Sequence, residues 1–335
     1  MVLLQSRREF TASLSLAGAA ALIGSAPALA DEGPAETTTV RFAKAPGICI
    51  APQYVAEEML RAEGFTDLQY VEAQAGLTAT TMVARDELDF SIDFATAFAI
   101  PIAAGERVKV LSGIHVGCYE LFAHDGIDSI RDLKGRSLGV GPQLGTDAYV
   151  FLSVMATHVG LDPATDIDWI TSELKPKQLF VEGKIDAFLA FPPEPQELRA
   201  RKIGHVVVNS ALDRPWSQYF CCMLAGNSAY VEKYPVATKR ALRAILKGVD
   251  LCASEPDMVA RRLIEGGYAK DYDYTLQAIN EVPYLEWRNF DPEDTIRFFS
   301  LRLHEAGLIK STPQQIIADG TDWRFLSELK RELKG

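Results

Sequence analysis

Two short stretches of this chain repeat one another at a distance, and they restrict its fold more than any other feature. At a spacing of 97 positions Leu88 and Asp89 fall on Ile185 and Asp186, Ile92 on Leu189, and Phe94 on Phe191. Each copy, 83–94 and 180–191, reads as a helix end, a charged turn and a strand apolar enough to be buried on both faces. The Asp opening each strand is expected to accept from backbone N–H groups of its turn. Solenoid repeats recur roughly every 20–50 residues, so this wider spacing predicts two similar α/β domains instead. A loop follows each strand, 93–96 in one copy and 191–194 in the other. Open α/β sheets bind ligands at the carboxyl ends of parallel strands, so the two loops are expected to face each other across a cleft.

The length of 335 residues suits about two domains, and 48% hydrophobic residues is ample for two cores. The formal net charge is −11. Residues 1–30 carry Arg7, Arg8 and Glu9, so the remainder stands at −12. That acidity argues against nucleic acid as a partner, since phosphate backbones call for basic faces. The five cysteines show neither zinc-finger spacing nor the density of a small disulfide scaffold.

Residues 1–30 read as an export signal. Arg7 and Arg8 precede an apolar run over 14–23, and 28–30 offers small residues for cleavage. The run is too short to span a bilayer. The arginine pair followed by Phe10 resembles a twin-arginine (Tat) signal, an ordinary secretory signal being the alternative. Residues 31–38 read as a short tether, and no later segment is apolar enough for a membrane span.

Strands are expected at 39–43, 68–72, 108–114, 137–140, 167–171, 206–208 and 219–225, besides the two repeat strands. Helices are expected at 51–62, 94–104, 147–158, 175–182 and 197–201, with Thr78 opening another and a short one at 130–136. From 227 onward the pattern is helical: 229–234, 236–254, 257–265, 272–279, 291–306 and 322–333. An α/β region, a second α/β region and a helical tail mean that the first domain is built from two separated pieces.

Several motifs together resemble the periplasmic solute-binding proteins of ABC importers. They are Gly76-Leu77-Thr78, the 87–90 turn, Ser129-Ile130-Arg131-Asp132-Leu133-Lys134-Gly135-Arg136 and the 182–187 turn. The subfamily covers nitrate, taurine, alkanesulfonates and thiamine-pyrimidine precursors. The resemblance spans 39–335 and implies a two-lobed α/β periplasmic-binding-protein fold of type II. Two crossover strands, about 118–124 and 220–225, would form the hinge, with a helical C-terminal segment on lobe one. Lobe one would comprise 39–122 and 224–335, and lobe two 123–223. The protein implied is a non-enzymatic monomer without cofactor or metal. It would be periplasmic, taking a small molecule and docking on an inner-membrane ABC permease.

Candidate ligand contacts follow from these loops. Gln143, Gly145, Thr146 and Asp147 lie where helix-start N–H groups point into the cleft, an arrangement suited to anions. Gly76 and Thr78 offer the same from the other lobe, although Thr78 is equally an ordinary helix cap. Cys49 and Ile50 would line the first lobe's wall or pack in its core. Phe94 and Phe191 would sandwich a flat ligand or serve as core, with Asp93, Thr96 and Glu194 beside them. His115 and Trp216 precede the crossovers and are candidate contacts or structural residues. Glu194 favours an amine, amide or hydroxyl. Arginine is scarce in these loops, Lys44 and Arg214 being the nearby bases, so the ligand class stays open between a small anion and an amine-bearing or aromatic molecule. Cys118 and either Cys221 or Cys222 fall on the two crossovers, where a disulfide and buried thiols are both open. A pyrimidine-precursor synthase of the same fold is the alternative of another class. Its cysteine-rich iron motif is matched here only by Cys221-Cys222.

Overall fold

In the computed structural model, residues 32–44, 47–72 and 78–333 are described. Residues 1–30, read above as an export signal, and Gly76 lie outside them. Two five-stranded sheets share one topology. The first runs β2 (Asp67–Glu72), β1 (Thr39–Lys44), β3 (Phe90–Phe94), β10 (Phe220–Asn227), β4 (Val108–Val116). The second runs β7 (Asp168–Thr171), β6 (Ser137–Gly141), β8 (Ala187–Ala190), β5 (Glu120–Ala123), β9 (His205–Asn209). Within each sheet the first three strands are parallel. The fourth, β10 or β5, is antiparallel to both of its neighbours. Each antiparallel strand is the one that enters after the chain changes sheets.

That change falls slightly away from where the resemblance put it. β5 pairs only within the second sheet, so the outward crossing occupies 117–119 rather than lying beyond 122. β10 pairs with β3 and β4 from its first residues, so the return is complete by Phe220 rather than at 224.

The repeat appears as β3 and β8, each lying between a parallel and an antiparallel partner. The two aspartates do something other than cap their own turns. Asp89 accepts the Arg41 backbone N–H at 2.7 Å, and its own N–H donates to the Arg41 carbonyl. Asp186 accepts the Ser137 backbone N–H at 2.8 Å, and its N–H donates to the Ser137 carbonyl. In both sheets this residue pins the neighbouring parallel strand and so sets its register.

Helices α1 (Ala51–Val55) and α2 (Glu57–Ala62) follow β1, and α3 (Ala79–Ala84) starts at Thr78, whose hydroxyl accepts from the Thr81 N–H. Further along come α4 (Ala95–Ala103), α5 (Asp147–His158), α6 (Pro176–Val181) and α7 (Glu194–Arg201). The tail holds α8 (Ser228–Lys233), α9 (Pro235–Ser254), α10 (Pro256–Glu265), α11 (Tyr272–Glu281), α12 (Pro292–Glu305), α13 (Pro313–Gly320) and α14 (Arg324–Glu332). Helix α7 begins three residues earlier than the pattern indicated. Helix α13 and a 3₁₀ turn at Tyr284–Arg288 were not anticipated. Residues 31–38 are less of a tether than expected, because the Glu36 carboxylate accepts the Val236 and Ala237 N–H groups at the start of α9. The described residues from Ala35 onward form one compact unit. No described helix is long and apolar enough to cross a membrane.

Candidate ligand-binding cleft

A cavity of about 530 Å³ opens between the carboxyl ends of β1 and β3 on one side and of β6 and β8 on the other. From the first sheet it is lined by Lys44, Cys49, Ile50, Gln53, Thr78 and Asp93. The second sheet contributes Val140, Thr146, Asp147, Lys175, Phe188, Phe191 and Glu194, and Tyr119 reaches in from the crossing segment. Gln53 is buried and donates to the Ala43 carbonyl at 2.7 Å, which fixes the start of α1 against the end of β1.

Asp93 is the polar member of the alternation in β3. Its carboxylate accepts from the Thr80 hydroxyl and from the Phe94 N–H, both at 2.9 Å. Burial pushes the Asp93 carboxyl up despite those two bonds. Across the cavity, Thr146 caps α5, accepting from the Tyr149 N–H while its hydroxyl donates to the Val140 carbonyl at 2.7 Å. Asp147 follows at the first helical position. Burial, reinforced by the Asp93 charge, drives its carboxyl well above the ordinary range. Glu194, the first residue of α7, is also raised by burial, with Lys177 and Lys175 opposing. Lys44 stands at the edge and is paired with Glu72 at 2.9 Å. Three carboxylates therefore face two lysines, one of them already partnered, and no arginine appears among the described lining residues.

The structure gathers Cys49, Ile50, Thr78, Asp93, Thr146, Asp147, Phe191 and Glu194 around this cavity. Other candidates lie elsewhere. Phe94 points to the opposite face of β3 from Asp93 and is core, its ring 4.7 Å from Phe151 and 5.6 Å from Phe299. The aromatic sandwich with Phe191 therefore does not form; Tyr119 sits between the two rings, edge-on to both. Thr96 is wholly buried in the first turn of α4, and Trp216 is core against Phe151, His158 and Phe298. His115 is buried against Tyr284, away from the cavity lining. Gln143 and Gly145 are exposed in the loop before α5 and do not line the cavity.

Sequence reasoning missed Tyr119, Lys175, Gln53 and Phe188. The proline after Lys175 marked a helix start, and a helix start facing the cleft was the available signal. The cysteines were also underestimated. No spacing along the chain joins them, yet Cys49, His115, Cys118 and Cys222 bring their ligand atoms within 4.8 Å of one another. The Cys118 and Cys221 sulfurs lie 3.2 Å apart as free thiols.

A family model described as NMT1/THI5-like matches residues 50–259. No curated protein matches the chain. The fold is shared with the periplasmic nitrate-binding protein NrtA of Synechocystis PCC 6803, with a TM-score of 0.74 and 13% identity over 90% of each chain. The Escherichia coli periplasmic aliphatic sulphonate-binding protein SsuA gives a TM-score of 0.63 and 16% identity, over 83% of this chain and 91% of that one. A Candida albicans protein with the generic periplasmic binding protein fold gives 0.66 and 16%, over 85% and 96%.

Proposed function

The chain belongs to the NMT1/THI5-like family, and on that premise we propose that it is the extracytoplasmic substrate-binding component of an ABC importer, with a cationic ligand. The two lobes, 39–122 with 224–335 and 123–223 apart from the small shifts noted above, would close on the ligand about the crossings at 117–119 and 210–219. The closed form would then present it to an inner-membrane permease. Export through the residue 1–30 signal, by the Tat route, and a monomeric state complete the reading. The cavity volume supports it, since small-molecule sites run to about 300–1,000 Å³ and combine apolar walls with a few convergent polar groups.

The observation that carries the ligand class is the trio Asp93, Asp147 and Glu194, which come from both sides of the cavity and are all raised by burial. Nitrate and sulphonates, the ligands in the neighbours' names, would meet those charges with no arginine to offset them. A protonated amine or amidine would instead relieve the cost of ionising the trio. The apolar walls of Tyr119, Phe188 and Phe191 suit a flat ring attached to it. An amine-bearing heteroaromatic such as an aminopyrimidine fits both requirements.

A thermal-shift screen of residues 31–335 tests this. Amine-bearing heteroaromatics should raise the melting temperature saturably, while nitrate, taurine and alkanesulfonates should leave it unchanged. A saturable shift with the anions alone would reverse the ligand class. Mass spectrometry of the released ligand checks the transport reading, because a binding protein returns it unaltered.

A further inference from the structure

Most of the four-residue cluster beside the cleft has no part in ligand capture. Cys49 comes from the turn before α1, His115 from the end of β4, Cys118 from the outward crossing and Cys222 from β10, where it stands opposite His115 across the antiparallel pair. His115, Cys118 and Cys222 are buried, and Cys49 is half-buried with a face on the cavity.

Close thiols alone would suggest only a well-packed core or a disulfide. The histidine separates those readings from another. His115 is fully buried, and its Nε2 makes no hydrogen bond of ordinary length and angle among the described residues, with the Cys49 thiol the side chain that interacts with the ring. A buried polar atom left without such a bond is destabilising and is rare in folded proteins. Its Nδ1 lies 3.1 Å from the Val116 carbonyl oxygen. An N–H donated there places the ring's lone pair on Nε2, the arrangement by which metal-ligating imidazoles are oriented. A Cys118–Cys221 disulfide would remove one thiol from the cluster and leave Nε2 as it is.

We propose that Cys49, His115, Cys118 and Cys222 form a tetrahedral Cys3His site for zinc(II). Soft thiolates with one imidazole suit zinc, and four protein donors fill its tetrahedron, which is the arrangement of a structural site rather than a catalytic one. On binding, three thiols release three protons and form S–Zn bonds, while His115 gives its Nε2 lone pair; nothing is oxidised or reduced. The bound unit carries one net negative charge and joins the wall of the cleft to the outward crossing, through Cys118, and to the strand that receives the return, through Cys222. That placement stiffens the pivot without occupying the ligand's space. The site stands independently of the ligand assignment, since it rests on different donors.

The test is metal content of the exported full chain, purified without chelators or metal-affinity resin. About one zinc per chain is expected. Replacement by cobalt(II) should give the intense near-ultraviolet thiolate charge-transfer band and the visible bands of a tetrahedral site. Cys222→Ser and His115→Ala should each lose that equivalent, while Cys252→Ser, buried elsewhere, should keep it. Because a substitution in the cluster can unfold the chain by itself, the cobalt spectrum of the unsubstituted protein decides the matter separately. Metal-free protein with titratable thiols, a Cys118–Cys221 or Cys118–Cys222 disulfide in peptide maps, or iron in place of zinc would each overturn the proposal.

Discussion

Asp147 occupies the first position of α5, where the helix dipole favours a negative charge by about 0.3–1 kcal/mol. Burial and the facing Asp93 nevertheless keep its carboxyl above the ordinary range, so the penalty exceeds the dipole's help. A raised folded-state pKa means that the carboxyl contributes stability below the unfolded value, near pH 4, and loses it as pH climbs through the folded value. Asp147→Asn is therefore expected to melt above the unsubstituted protein at pH 7 without ligand, with the gap closing toward pH 4. The same substitution should weaken a cationic ligand roughly tenfold or more, because charged hydrogen bonds contribute about 1.5–3 kcal/mol. Differential scanning calorimetry across pH checks the first part, and a variant that melts lower at pH 7 would remove the burial argument. Glu194→Gln should follow the same pattern, with a smaller gap since two lysines oppose its shift. The carboxylates themselves were legible in the sequence because they stand at the end of a repeat strand or begin helices. The choice between cleft and core for Phe94, left open by the sequence, was decided by the alternation of β3, which gives one face to the cleft and the other to α12. Which face is which depends on the tail, some two hundred residues later.

Helices show the same division between what the chain prints locally and what distant packing decides. The capping box of α13 was printed in full: the Thr312 hydroxyl accepts from the Gln315 N–H and the Gln315 side-chain Oε1 accepts from the Thr312 N–H, with proline following the cap. The aspartates pinning β1 and β6 were visible as a repeat, yet their partners, Arg41 and Ser137, lie 48 and 49 positions away and could not be read locally. The contact between α9 and α1 is of the same distant kind. A Cβ on Gly248 would lie 2.5 Å from the Pro52 carbonyl oxygen and 3.2 Å from the Ala56 side chain. Gly248→Ala gains up to about 1 kcal/mol of helix propensity, but the clash is with backbone and cannot be relieved by a rotamer. Overpacking of this sort costs about 1–3 kcal/mol, so a net loss is expected in urea unfolding. Since α1 carries the Cys49–Ile50 wall at its start, ligand affinity should fall with it. A variant of unchanged stability would mean that the two helices can separate freely.

At the scale of the molecule, one ion cluster joins the second sheet to the helical tail. Arg199 on α7 pairs with Glu120 on β5 and, at 2.7 Å, with Glu281 at the end of α11; Gln196 donates to Glu281 at 2.8 Å. It lies beside the outward crossing and lines a second cavity of about 300 Å³ with Gly117 and Cys118. The two acids are not equivalent. The Glu120 side chain is 6% exposed and burial raises its carboxyl, whereas the Glu281 side chain is 39% exposed and screened by solvent. Removing the shared arginine leaves Glu120 buried with only Asn209 nearby at 3.3 Å, so Arg199→Ala should cost about 3–5 kcal/mol of stability. Glu281→Ala removes only the solvent-facing link between lobe and tail, worth about 1 kcal/mol or less. Its effect should fall on hinge motion instead: a larger radius of gyration without ligand by small-angle scattering, and less than about tenfold weaker binding. Ligand should bring the radius of both the variant and the unsubstituted protein to the same smaller value, because closure is completed by contacts inside the cleft. If ligand leaves the radius unchanged in either protein, the lobes do not close, and the importer reading loses its mechanism. If Arg199→Ala and Glu281→Ala instead prove equally mild, Glu120 is not sustained by the arginine, and the link between the lobes must lie in the crossings themselves.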